Sequence, residues 1–119
     1  YAVKVAVTAD VLRCRQTLEP FLAARGLSAV VEPSLTVGTP VPQPESGVAA
    51  LVALAGSPAV ACSQRELIAR VVAGTCTRLG RAVTPDDVGE PGKGALVVLH
   101  VARDPRLRLV DWERLPALA

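Results

Sequence analysis

A strand running straight into an amphipathic helix constrains this chain more than any other feature. Val3-Lys4-Val5-Ala6-Val7 alternates loosely and is rich in β-branched residues, which reads as a strand. Directly after it, apolar side chains fall at Val11, Cys14, Leu18, Phe21 and Leu22, the spacing of one helical face, and Arg25-Gly26 ends the run. Arg13 then lies in the first helical turn, at the carboxyl edge of a sheet, near the positive end of the helix dipole and beside free backbone N–H groups. That is where α/β proteins hold phosphate.

The pattern recurs. Leu27 to Glu32 reads as a second strand broken at Pro33, and Ser34 to Gly47 collects Gly38, Pro40, Pro42 and Pro44 into a loop long for a compact domain, of a kind that is often functional or mobile. Val48 to Ala55 predicts a short buried helix closed by Gly56-Ser57-Pro58, and Ala59 to Cys62 a short buried strand. Ser63-Gln64-Arg65-Glu66 has the spacing of a capping box, and Leu67, Ile68, Val71, Val72 and Leu79 continue it as an amphipathic helix. Thr84-Pro85-Asp86-Asp87 predicts a short helical turn, and Gly89 to Gly94 a flexible connection. Ala95 to Ala102 and Leu107 to Trp112 read as strands of an antiparallel hairpin, joined by Arg103-Asp104-Pro105-Arg106. The expected fold is α/β: a mostly parallel sheet with helices on both faces and a C-terminal antiparallel hairpin at its edge. Both strand-to-helix junctions, at Arg13 and at Ser63-Gln64, would open onto one edge of that sheet.

Composition narrows the function. A chain of 119 residues, 50% hydrophobic, forms one domain spanning 1–119. A net charge of +2 from scattered basic residues and an aromatic content of 3% leave no footprint for a nucleic acid polymer or a membrane surface. Cys14, Cys62 and Cys76 have no metal-ligand spacing, which fits a reduced, cytoplasmic protein with no metal and no cofactor. No run approaches the roughly 18 to 20 apolar residues of a membrane span, and the first residues do not resemble a signal peptide. A bias to Ala, Val, Leu and Arg, with Lys4 and Lys93 as the only lysines, suits a GC-rich genome.

Other chemistries fit the residues poorly. Cys62 stands just before a helix start, where a thiol pKa falls, but the cysteine-phosphatase pattern needs an arginine six residues on, where Ile68 stands. Asp86 and Asp87 are explained as helix N-terminal acids, and Gly89, Gly92 and Gly94 precede a strand, not the helix that a phosphate loop requires.

The two junctions together resemble the histidine phosphatase superfamily, the phosphoglycerate-mutase-like fold, in its small phosphohistidine-phosphatase-like branch. The likeness is greatest to the domain that follows a Nudix hydrolase domain in some actinobacterial proteins. Thr8-Ala9 takes the place of the family's two serines, Arg13 of its phosphate-binding arginine, Cys14 of a small residue and Gln16-Thr17 of a glutamine-threonine pair. Glu32-Pro33-Ser34-Leu35 resembles the strand end before the family's variable loop. Val60-Ala61-Cys62-Ser63-Gln64 resembles the strand that ends in serine-histidine-glycine, and Lys93-Gly94-Ala95-Leu96-Val97-Val98-Leu99 a late strand of the Nudix-linked branch. The resemblance implies a phosphate pocket built on Arg13, Gln64 and Ser63, with a phosphorylated small molecule or nucleotide as ligand.

The departures are as informative. The family's opening strand ends in arginine-histidine-glycine, whose histidine is the nucleophile, and this sequence holds no such motif. Its single histidine, His100, lies late in an apolar strand and reads as structural, while Gln64 and Arg65 replace the second pocket histidine and the glycine after it. Glutamine donates hydrogen bonds but supplies neither charge nor a proton relay at neutral pH. In this fold the missing strand lies between the strand before Arg13 and the strand before Gln64, so a gap is expected, met by unfamiliar pairing or by a strand-donating partner or second copy. The start at Tyr1, not Met, points to a piece of a longer protein. Two functions follow as expectations: part of a histidine-phosphatase-type phosphomonoester hydrolase with its nucleophile elsewhere, or a degenerate domain that binds an anion or a protein partner. Residues 1–119 alone are expected to show no phosphatase turnover.

Overall fold

A computed structural model describes residues 3–36, 44–92, 96–103 and 106–115. The opening strand β1 (Val5–Thr8) runs into helix α1 (Leu12–Arg25), as its periodicity predicts. Gly26 closes α1 in the left-handed conformation at φ 65, its N–H bonded to Ala23 and that of Leu27 to Leu22. This is the Schellman arrangement, reinforced by packing of Leu27 beside Leu22. Pro20 lies on the exposed face of α1, where the carbonyl it leaves unpaired, that of Gln16, can meet water.

Because Leu27 is committed to that cap, the second strand is shorter than the sequence predicts: β2 is only Val30–Val31. A 3₁₀ turn follows at Pro33–Leu35, with the Glu32 carboxylate accepting from the Ser34 N–H and hydroxyl at its start. Helix α2 spans Pro44–Leu54, beginning four residues before the expected start at Val48. Pro44 and Glu45 explain the early start, since proline is preset for a first turn and an acid suits the helix's positive end. Of the expected loop, residues 37–43 lie outside the described residues, as do residues 93–95 and 104–105.

β3 (Ala59–Cys62) and α3 (Arg65–Arg78) repeat the strand-to-helix passage. The first sheet is parallel, in the order β2-β1-β3, with Val5 opposite Ala59 and Thr8 opposite Cys62. β1 and β3 therefore pair directly, and the gap expected between them is closed. Helices cover both faces: Leu18 and Leu22 of α1 pack on the Ala6 side, Leu67 and Val71 of α3 on the Val7 side. Such two-sided burial is what a parallel sheet requires.

The hairpin departs from its expected place. β4 (Leu96–Ala102) and β5 (Arg108–Leu115) pair antiparallel in a separate two-stranded sheet and do not extend the parallel one. They pack instead on the other flank of α3 and on helix α4 (Pro85–Val88), where Leu109 and Trp112 meet Val72, Cys76, Leu79 and Val88. Leu109 and Trp112 are an odd number apart and would face opposite ways in a regular strand. A bulge at Val110 absorbs one residue, with Val101 opposite Leu109 and His100 opposite Asp111, so both point into the same core. Arg81 pins the bulge by donating to the Val110 carbonyl at 3.1 Å and to Asp111 Oδ1 at 3.3 Å. The central helix α3 is thus buried on two flanks, one against each sheet.

Candidate functional site

Parallel register fixes where the two junctions meet. Thr8 and Cys62 are paired at the carboxyl ends of β1 and β3, and the Ala9 N–H continues the ladder to the Cys62 carbonyl at 2.8 Å. Helices α1 and α3 therefore both start at this one edge. Val11 and Gln64 are the N-cap residues, and neither side chain caps its own helix. The first-turn N–H groups of α1 at Leu12, Arg13 and Cys14 have no intrahelical acceptors, and no acid lies in that turn.

Arg13 is exposed, and its guanidinium has no hydrogen-bond or ion-pair partner among the described residues. Only its carbonyl is engaged, by the Thr17 hydroxyl at 2.7 Å. Asp10 brings a negative charge to the same edge, but its carboxylate is paired with Arg15. Gln64 is half-buried at the head of α3, and Arg65 beside it is drawn to Glu90 at 3.6 Å.

Ser63 takes a different part from the expected capping box. Its hydroxyl donates to the Leu35 carbonyl at 2.5 Å, leaving the cap position to Gln64. The reason lies in a segment that sequence reasoning did not connect to the site. Glu32 to Thr36 crosses the sheet edge: the Glu32 N–H bonds Thr8, Leu35 is buried and receives Ser63, and the Thr36 hydroxyl accepts the Asp10 N–H at 2.7 Å. The Ser-Leu-Thr polarity after Pro33 is the only local trace of this strap, and its partners are 26 and 28 residues away.

Cys62 and Cys76 are held as thiols by their surroundings. Burial, then a hydrogen bond and electrostatic coupling to Cys14, push the Cys62 thiol up to about 12, opposite to the fall expected at a helix start. Burial likewise raises Cys76, against the opposing pull of Arg81. His100 lies on the outward face of the hairpin, its Nε2 3.1 Å from Glu113 Oε1, and is not part of the parallel-sheet edge. Among the described residues no cluster of His, Cys, Asp and Glu could hold a metal ion, and no helix is long and apolar enough to cross a membrane.

The arrangement offers an uncommitted guanidinium, first-turn helix N–H groups and an amide at a common edge, groups that can hold an oxyanion. Compared with known proteins, the chain matches no family model, no curated protein and no solved structure.

Proposed function

We propose that this chain is an oxyanion-binding α/β domain of the histidine-phosphatase type that takes a phosphorylated small molecule or nucleotide at the carboxyl edge of its parallel sheet, without hydrolysing it. The observation that carries this reading is the pairing of Thr8 with Cys62, which puts the starts of α1 and α3 at the same edge of the sheet, one from each face, with Arg13 exposed on the first. Arg13 gives the anion its positive charge, the first-turn N–H groups of α1 its hydrogen bonds, and Gln64 a further donor. Ser63 contributes least, because its proton is held by Leu35.

The hydrolase alternative needs a histidine strand in or beside this sheet. The direct β1–β3 ladder occupies the interval in which the family resemblance puts that strand, which favours the binding reading. A relation to a Nudix hydrolase domain in a longer protein remains part of the resemblance only.

The test is a titration of the chain with inorganic phosphate, followed by amide shifts in ¹⁵N–¹H NMR spectra. Saturable shifts at Leu12, Arg13, Cys14 and Gln64, weakened about tenfold by Arg13→Ala, are the expected result. Shifts that survive Arg13→Ala undiminished would refute the site. Release of phosphate from p-nitrophenyl phosphate that depends on Arg13 would refute the non-catalytic reading.

A further inference from the structure

The edge site leaves unused a groove elsewhere on the molecule, where α2, the middle of α3 and the segment before α4 meet. It is an open groove of about 520 Å³, a volume in the range of small-molecule sites. Its floor is apolar, made by Val48, Ala73, Gly74 and Val83, and α2 comes close because Gly74 has no side chain. Along its rim α3 presents Arg70, Thr77 and Arg78, three positions of one helical face.

The arginines of this region divide by location. Arg65 and Arg81, off the groove, are paired with Glu90 and Asp111. Arg70 and Arg78, on it, have no ion-pair or hydrogen-bond partner among the described residues. Glu45 also lines the groove but lies beyond ion-pairing distance of both, so the rim keeps a surplus positive charge. Thr77 adds a hydroxyl whose acceptor, the Val83 carbonyl, is 3.5 Å away, at the limit of a hydrogen bond. Eight residues of helix put the two arginine backbones about 12 Å apart, so one oxyanion engages one guanidinium while its organic body runs along the floor toward the other.

We propose that this groove binds a small organic oxyanion, a carboxylate, sulfonate or phosphate ester with a compact apolar body. Neither half suffices: the floor selects the body, and the guanidiniums select the charge. The site is distinct from that at Arg13 and does not depend on it.

The probe is naphthalene-1-sulfonate, titrated into the ¹⁵N-labelled chain, with inorganic sulfate and 1-naphthalenemethanol as half-ligands. The expected result is saturable shifts at Ala73, Gly74, Thr77 and Val83, with affinity at least tenfold above either half-ligand. Arg70→Gln and Arg78→Gln, singly and together, weaken it progressively, the pair by about tenfold or more, while Arg13→Ala leaves it unchanged. These exposed substitutions keep the amide spectrum of the folded chain, so a loss of affinity reads on the groove. Three results would overturn the proposal: no saturable shift there up to about 10 mM probe, equal affinity for sulfate alone, or undiminished binding by the double Gln variant. Shifts confined to Leu12–Cys14 and Gln64 would also overturn it while leaving the edge site standing.

Discussion

Replacing Gly74 by alanine tests how closely α2 and α3 are pressed together. A Cβ built at Gly74 falls 2.5 Å from Val48 Cγ2 and 3.7 Å from two further Val48 carbons. Carbon atoms in ordinary contact are about 3.5 to 4.0 Å apart, so roughly 1 Å of overlap must be relieved. Val48 cannot give way cheaply, because it is 6% exposed and, being β-branched in a helix, has essentially one rotamer. Relief then comes from a strained χ1 or from spreading the helices, at about 1 to 3 kcal/mol. Alanine returns about 1 kcal/mol through helix propensity, so the net expectation is a loss of about 0 to 2 kcal/mol. Urea unfolding followed by far-UV circular dichroism should show a lower midpoint at unchanged slope. Val48→Ala alone removes two methyl groups and costs about 2 kcal/mol. The double variant should nevertheless be about as stable as either single one, because the new Cβ enters the vacated space, a coupling of at least about 1 kcal/mol. Gly47→Ala, with its nearest atom at 3.0 Å, should cost less. A Gly74→Ala protein more stable than the parent, or a cycle additive within about 0.5 kcal/mol, would refute the close-contact argument.

Four further expectations rest on other parts of the structure. Cys62, held up near 12 by burial and Cys14, stays a thiol at pH 8, so native protein should react with Ellman's reagent far more slowly than urea-unfolded protein; fast labelling of Cys62 would contradict this. Its raised pKa stabilises the fold below the ordinary thiol range and loses that contribution as pH climbs toward 12, so the parent's stability margin over Cys62→Ala should narrow in alkali. Asp87 has the opposite sign: hydrogen bonds from the Thr84 backbone and then its side chain depress the carboxyl, so its contribution is present above about pH 4 and lost as pH falls below it. The melting-temperature gap between parent and Asp87→Asn should therefore shrink from pH 7 to pH 2.5, and a constant gap would show the capping box is not charge-dependent. Deleting Val110 should turn the bulged strand into a regular ladder with Leu109 and Trp112 still inward, leaving the Trp112 emission maximum unshifted; a shift to that of a solvated indole would refute the assigned register.

Much of this protein is decided locally. The β-branched run before Thr8, the helical spacing from Val11 to Leu22, the stop at Gly26, the strand Ala59–Cys62 and the proline-led turn at Thr84 each carry their conformation in neighbouring residues, and each forms where periodicity and capping chemistry put it. Parallel pairing follows as well, since a strand-helix-strand order leaves little choice, and with it the start at one edge of the two helices that carry Arg13 and Gln64. Tertiary structure decided the rest, through partners distant in sequence. Ser63 has the spacing of a cap yet donates its proton to the Leu35 carbonyl, because the fold brings that acceptor of a buried residue alongside it, where it needs a donor, and the N-cap position falls to Gln64. Cys62 stands just before a helix start, yet burial and then Cys14 push its thiol up. The hairpin looks like a sheet edge in one dimension, but α3 has apolar residues on two flanks, and the hairpin covers the second, removing it from water. The groove at Arg70 and Arg78 follows the same logic: one wall is a pattern readable on a single helix, while the other depends on where Val48 and Val83 come to rest, which only packing fixes.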